Sequence, residues 1–380
     1  MSRKTFLVLG IGLLLGFWLI LSVGADVAAL ERTGFAFTTL DGSGNVGQYS
    51  SVTIGTDGLG LISYYDETNG DLKVAHCSDS ACTSATLTTV DRAGNVGQYS
   101  SVTIGADGLG LISYYDETNG DLKVAHCSDS VCTTATKITL QSEDNVGQFT
   151  SVTSIGGLGL ISYYDVTNGD LKVAHCSDSA CTSATLTTVD RAGNVGQYSS
   201  VTMGADGLGL ISYYDVTNGD LKVAHCSDSA CTSATLTTLD GAANNVGAPS
   251  SMIMGADGRG LISYYDETNG DLKVAHCSDL TCTSATLTTL TFLQSEGNVG
   301  QFTSVTNAGG QGLISYYDST DQNLKVALCP DLACTSATLT TTPDRAGNVG
   351  QYSSVTIGAD GLGLISYYDE TNGDLKVAHC

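Results

Sequence analysis

Beyond residue 30 the chain reads in steps of two. Ser101-Val102-Thr103-Ile104 alternates polar with apolar side chains, the period of a strand with one face buried. Asp107-Gly108 follows as a tight turn, in which glycine takes the positive φ that such hairpins demand. Residues 111–115 predict a second strand, Thr118-Asn119-Gly120 a second turn, and residues 122–127 a third, alternating strand. After a short loop, residues 135–140 predict a fourth strand, with Ile138 and Leu140 on one face. No helical period interrupts the series, and proline occurs only three times in the chain.

This unit recurs. Asn-Val-Gly begins at Asn45, Asn95, Asn145, Asn194, Asn245, Asn298 and Asn348, so the period stays between 49 and 53 residues. Ser-Tyr-Tyr-Asp keeps step, ending at Asp66, Asp116, Asp165, Asp215, Asp266, Asp318 and Asp369. Seven copies of four short strands predict an all-β fold, a seven-bladed β-propeller of four-stranded antiparallel blades. A stacked β-solenoid is the main rival, but it uses shorter coils of three strands. The two ends favour a ring. Residues 35–41 match the fourth-strand pattern of residues 85–91, and Cys380 falls at the end of a third strand. The N-terminal strand is therefore expected to complete the last blade, which removes the free sheet edges of an open array.

Residues 1–25 read as an address. Arg3 and Lys4 precede an uncharged apolar run over 6–25, and Val23-Gly24-Ala25 offers small residues for cleavage before Asp26. The segment is read as a signal peptide or, if uncleaved, an N-terminal membrane anchor, with residues 26–380 as one exported domain. Removing it takes two of the 15 Lys+Arg and none of the 39 Asp+Glu, which changes the net charge from −24 to −26. Such a surface repels nucleic acid and anionic lipid, so neither is an expected partner.

Six cysteine pairs bracket four-residue loops between third and fourth strands: Cys77/Cys82, Cys127/Cys132, Cys176/Cys181, Cys226/Cys231, Cys277/Cys282 and Cys329/Cys334. Residues flanking such a hairpin loop are expected to face each other across the ladder at disulfide distance, and an exported chain oxidises them. Metal binding is the competing reading, because a histidine precedes the cysteine at His76, His126, His175, His225, His276 and His379. Adjacent strand residues point to opposite faces, so the two do not easily share an ion, and the expectation is no metal and no cofactor. Histidine is expected to pack between blades, and Cys380 is left without a partner.

In a propeller the fourth-to-first loops and the second-to-third hairpins share one face. Each copy offers there two amides and a ring, the groups a sugar pocket uses for hydroxyls and stacking. The candidate sets are Asn45/Gln48/Tyr49, Asn95/Gln98/Tyr99, Asn145/Gln148/Phe149, Asn194/Gln197/Tyr198, Asn298/Gln301/Phe302 and Asn348/Gln351/Tyr352. The fifth copy has Ala248 and Pro249 instead, so its site is expected to be silent. The competing reading is that these residues serve turns and blade-to-blade packing. Glu67 becomes Val166, Val216 and Ser319 in other copies, which reads as a tolerant, exposed position.

The Gly-x-Asp-Gly-x-Gly turn at 105–110, followed by Ser-Tyr-Tyr-Asp, resembles the highly repetitive bacterial propellers, and distantly the Asp-box repeats of sialidase-like proteins. The Asp-box pattern itself is not met: Gly105 stands for its serine, and the only tryptophan is Trp18. Sialidase activity is not implied, because the arginines at 32, 92, 191, 259 and 345 are scattered over different copies. Every Ser, His and Asp recurs in nearly every copy, whereas catalysis uses one asymmetric pocket. The expectation is thus a protein that is not an enzyme. It reads as a multivalent module for surface carbohydrate or an extracellular protein, with a purely structural scaffold as the alternative and a glycoside-acting enzyme behind both.

Overall fold

The computed structural model describes residues 34–241, 244–290, 297–331 and 333–380; residues 1–25, expected to be a signal or anchor, lie outside them. All regular structure in it is β. Strand β1 (Ala36–Asp41) is followed by blade one, made of β2 (Val46–Ile54), β3 (Gly60–Asp66), β4 (Asp71–Cys77) and β5 (Ala85–Asp91). Blades two to six repeat this over residues 96–141 (β6–β9), 146–190 (β10–β13), 195–240 (β14–β17), 246–289 (β18–β21) and 299–344 (β22–β25). Blade seven holds β26 (Val349–Ile357), β27 (Gly363–Asp369) and β28 (Asp374–His379). Each sheet is a four-stranded antiparallel meander, and β1 completes the seventh in the order β1-β28-β27-β26. Thr38 faces Val377 and Phe37 faces Ala378 across that closing pair. The clasp expected from the sequence is present.

The second strand of each blade is buried from end to end, so Gly-Leu-Ile-Ser-Tyr-Tyr-Asp reads as a continuous run and not as an alternation. Its two faces pack against different neighbours. Leu61, Leu72 and Val74 of blade one meet Val102, Ile112 and Tyr114 of blade two in one core. The same cluster recurs between blades seven and one, where Leu364 and Leu375 meet Ile62 and Tyr64. The hydrophobic core is therefore a set of blade-to-blade layers, and β1 seals the last of them. Gly97 shows how close the layers come. It has φ +107°, and a Cβ there would lie 2.8 Å from the Cα of Leu72 in the preceding blade.

Polar groups inside these layers are matched. The buried Tyr114 hydroxyl donates to Asp91 Oδ2 at 2.8 Å, and Lys123 Nζ meets the same oxygen at 2.7 Å. Asp91 ends the fourth strand of blade one, whereas Tyr114 and Lys123 belong to blade two, so the triad bolts neighbours together. Burial alone would raise the Asp91 carboxyl, but the hydrogen bonds from Lys123 and Tyr114 outweigh it and hold the group below its ordinary range. Asp41, Asp190, Asp240 and Asp344 repeat the arrangement. Gln141 replaces it between blades two and three, accepting from Tyr163 at 2.6 Å.

The six cysteine pairs are disulfides, with Cα–Cα distances of 4.7–4.8 Å. All twelve cysteines are buried, and the bridges fit an oxidising environment. The expected placement across the ladder is corrected, however. Cys77 faces Ala85, the first residue of the fourth strand, and Cys127, Cys176, Cys226 and Cys277 face Ala135, Ala184, Ala234 and Ala285. The second cysteine of each pair lies in the connecting loop, before the fourth strand begins. Cys82, Cys132, Cys181, Cys231, Cys282 and Cys334 all take left-handed backbone there, with φ of 49–60°. The physical reason is a turn inside the loop. The Cys82 N–H donates to the Asp79 carbonyl at 3.0 Å, and the Asp79 side chain accepts the Thr83 N–H at 3.0 Å. This curl brings Cys82 back onto Cys77, so each bridge staples a turn to the end of the third strand and leaves the last ladder pair to alanine.

Cys380 is a buried free thiol. Five of the six histidines also carry a polar contact, and His175 of blade three, whose turn has Gly156-Gly157 in place of Asp-Gly, is the exception. His76 Nε2 lies 2.9 Å from Asp57 Oδ2, on the first turn of its own blade, and His126, His225, His276 and His379 are paired in the same way. Blade six lacks both partners, having Leu328 and an Asn307-Ala-Gly-Gly turn. Among the described residues no helix is long and apolar enough to cross a membrane, and no cluster of three or more His, Cys, Asp or Glu could hold a metal.

Candidate functional site

The first strand of each blade carries a bulge that aims one side chain at the axis. In blade two Gln98 faces Tyr115, but the next pair is Ser101 with Ser113, which leaves Tyr99 and Ser100 out of register. Tyr99 takes φ 53°, and Tyr49, Phe149, Tyr198, Phe302 and Tyr352 take φ 51–53° at the same place. Left-handed backbone costs an L residue on the order of 1 kcal/mol, so the surrounding packing must hold it. That packing is the other rings. From Tyr198 through Phe149, Tyr99, Tyr49 and Tyr352 to Phe302, neighbouring centroids are 4.3–4.6 Å apart and tilted. Beneath them, Ser100 Oγ donates to the Tyr49 carbonyl at 3.0 Å and ties adjacent blades together.

The arc of rings caps a small axial cavity of about 180 Å³ on the upper face, the face of the fourth-to-first loops. Tyr49 packs between Tyr99 and Tyr352, with ring centroids 4.5 and 4.6 Å away, so these phenols lie close together. Burial is the main reason the Tyr99 phenol is pushed up to about 12, and it raises Tyr49, Tyr198 and Tyr352 as well. All four phenols are neutral donors at physiological pH.

In blades one, two and seven the amides of the candidate sets are clamped by a glutamate of their own blade. Asn95 and Gln98 turn outward to the rim, where both amide nitrogens donate to Glu117 Oε2, that from Gln98 at 2.7 Å. Asn95 Oδ1 accepts the Tyr65 hydroxyl of the preceding blade at 2.6 Å, and its backbone N–H donates to Thr118 Oγ1 at 2.7 Å. Blades one and seven repeat the clamp with Glu67 on Asn45 and Gln48, and Glu370 on Asn348 and Gln351. In these three blades every amide is engaged by the protein itself.

Blades three, four and six lack the carboxylate, having Val166, Val216 and Ser319. Gln148, Gln197 and Gln301 accordingly lose the glutamate that clamps their equivalents, and the side chains of Asn145, Asn194 and Asn298 keep the tyrosine of the preceding blade. Blade five is the reverse case. Glu267 is present and takes Asn245 Nδ2, but Ala248 stands where the second amide would be. Pro249 stands where the ring would be, and its fixed φ near −65° excludes the left-handed bulge.

The result is one asymmetric cleft of about 300 Å³, lined by Gln197, Tyr198, Tyr214, Ala248, Pro249, Tyr265, Glu267, Gln301 and Phe302. It opens between the two ends of the aromatic arc. Tyr214 is 8% exposed where its six equivalents are 3–5%. Three groups whose equivalents are clamped in other blades, the Gln197 and Gln301 amides and the Glu267 carboxylate, converge on it. Of the sequence candidates the cleft gathers Gln197, Tyr198, Gln301 and Phe302. Ala248 and Pro249, from which a silent fifth copy was expected, line the cleft themselves, and the residues that sequence reasoning passed over are Glu267, Tyr214 and Tyr265. A signal for them was available, because glutamine and glutamate are lost in complementary copies.

No protein-family model matches the chain, and no curated protein sequence does. The structure superimposes on solved ring proteins at low identity, which supports the fold alone. An α-L-arabinofuranosidase of Fusarium graminearum, solved with an iminosugar inhibitor, is 12% identical over 74% of this chain and 91% of its own, with a TM-score of 0.51. The polysaccharide lyase Uly1 is 10% identical over 88% and 89%, at 0.54. The dihydro-heme d1 dehydrogenase NirN is 13% identical over 86% and 65%, at 0.50. These neighbours correct the expectation that the chain is not an enzyme. That expectation rested on seven-fold sameness, yet enzymes are found among the folds that superimpose on this one, and the described residues form an asymmetric cleft at blade five.

Proposed function

We propose that this chain recognises carbohydrate on its upper face, in the cleft over blade five. The observation that carries the reading is the convergence of released hydrogen-bonding groups. Gln197 and Gln301 lack the glutamate that clamps their equivalents, and Glu267 lacks the second amide. Amides and a carboxylate suit sugar hydroxyls, and Tyr198 and Phe302 offer ring edges and faces for stacking. Unlike a set of repeated sites, the reading places one ligand per chain. Export by residues 1–25 belongs to the same proposal, since surface polysaccharide lies outside the cytoplasm.

A glycan array followed by calorimetry tests it. A saturable ligand with a stoichiometry near one is the expected result. Restoring the repeat with Ala248→Gln and Pro249→Tyr should fill the cleft and weaken binding by at least about tenfold. Six or seven equal sites, or unchanged binding by the restored protein, would refute it. Release of new reducing ends in the same incubation would assign chemistry as well as recognition to the cleft.

A further inference from the structure

The charge of the cleft points to a narrower ligand class, on the assumption that the cleft is the carbohydrate site proposed above. Its lining holds one carboxylate, Glu267, and no Lys, Arg or His. Elsewhere the carboxylate of this position is balanced by two amide donors, as Glu117 is by Asn95 and Gln98. Glu267 keeps only Asn245, so acceptor capacity remains on an exposed carboxylate at the mouth of the cleft. Four aromatic rings stand around that point: Tyr198, Tyr214, Tyr265 and Phe302. Their faces carry the negative lobe of the ring quadrupole, which attracts cations. The field of the carboxylate also reaches into the cleft. Burial is the first cause that raises the Tyr198 phenol and the Glu267 charge the next; Tyr214 also feels that charge.

A hydroxyl can donate to Glu267, but it leaves the charge uncompensated. An ammonium answers both the carboxylate and the rings, and a chain of net charge −24 draws cations to itself from a distance. An anionic sugar meets repulsion at the same point. We infer that the cleft over blade five selects amino sugars bearing a free, protonated amine over their N-acetylated or acidic counterparts, with Glu267 as the residue that sets this specificity.

Calorimetry with glucosamine oligosaccharides and the matching N-acetylglucosamine oligosaccharides tests the inference. The amine form should bind about tenfold more tightly while its amine is protonated and lose that advantage once it is neutral. Glu267→Gln should remove the advantage, the loss of affinity being about tenfold larger for the amine form than for the neutral oligosaccharide. Glu117→Gln, at the clamped position of blade two, should change neither. Equal affinity for both oligosaccharides, or an equal loss of both in Glu267→Gln, overturns the amine selectivity while the carbohydrate reading stands. Failure of every oligosaccharide and every array glycan to bind overturns both.

Discussion

Blades two and five share most of their sequence, and the difference that matters between them lies in two adjacent residues. In blade two, Gln98 and Tyr99 complete a closed arrangement: the amide is held by Glu117 and the ring is stacked between Tyr49 and Phe149. In blade five, Ala248 and Pro249 remove the amide and the ring together, and the asymmetric cleft of the upper rim opens there. A repeat that satisfies its own polar groups has little left to offer a ligand. Hydrogen-bonding groups are left over where the repeat fails, because groups that pair within one blade elsewhere are here separated onto neighbouring blades.

The largest expected effect separates this local failure from the integrity of the ring. Deleting the chain through residue 44 removes β1 and opens blade seven, whose aromatic and amide set is complete. It should lower Tm by more than about 10 °C or cause aggregation, measured by calorimetry or light scattering. An unchanged Tm would mean that the closing pair contributes nothing.

Next comes the restored rim. Ala248→Gln with Pro249→Tyr should cost the ligand at least about tenfold in affinity while leaving Tm within about 2 °C or raising it, because it only rebuilds what six blades already have. A collapse of the fold would show that blade five depends on its proline.

A smaller effect compares rings in the arc. Tyr99 has two close ring neighbours and Tyr198 has one. Tyr99→Ala should destabilise by about 2–3 kcal/mol in denaturant titration, and Tyr198→Ala by about 1 kcal/mol less. Only Tyr198→Ala should weaken ligand binding. The opposite order would place the ligand over the axis instead of the cleft.

The smallest effect concerns acid. Because the Asp91 carboxyl is held low in the folded state, its contribution is present above its unfolded pKa of about 3.9 and is lost as the pH falls below the carboxylate range. Asp121 acts in the opposite sense, raised first by burial and then by the charge of Asp116. The informative quantity is therefore the difference between wild type and Asp91→Asn. The variant should be less stable by about 1–2 kcal/mol at neutral pH, and the gap should close toward pH 3. A gap independent of pH would show that the charge of Asp91 contributes nothing, and no gap at all that the hydroxyl and ammonium donors hold an amide equally well, as Gln141 accepts Tyr163.

The blades, their order, the clasp and the pairing of the cysteines were legible because each follows from local chemistry. Alternation sets strands, Asp-Gly and Asn-Gly set turns, and two cysteines five residues apart have each other within reach. Repetition then carried one blade to seven. The geometry of the bridges was less legible than their pairing. A count of loop residues does not reveal that the loop curls on Asp79 and holds Cys82 in a left-handed turn before the fourth strand begins at Ala85. The pairing of His76 with Asp57 was not legible either, since the partners lie 19 residues apart and meet only through the folded blade. The division of Asn, Gln and Tyr was hidden for a related reason. Residues three and four apart in a strand are expected to keep a fixed relation, but the bulge at Tyr99 breaks the period and sends the ring to the axis while the amides go to the rim.

Sequence alone thus determined the ring, because strand period and repeat length act within a single blade and need no knowledge of its neighbours. The site was decided by tertiary structure. Gln197, Glu267 and Gln301 come from three successive blades, and each looks like an ordinary member of its copy. What makes them available is the loss of a partner within the repeat, and that loss becomes a cleft only once the chain has closed and brought blades four, five and six side by side.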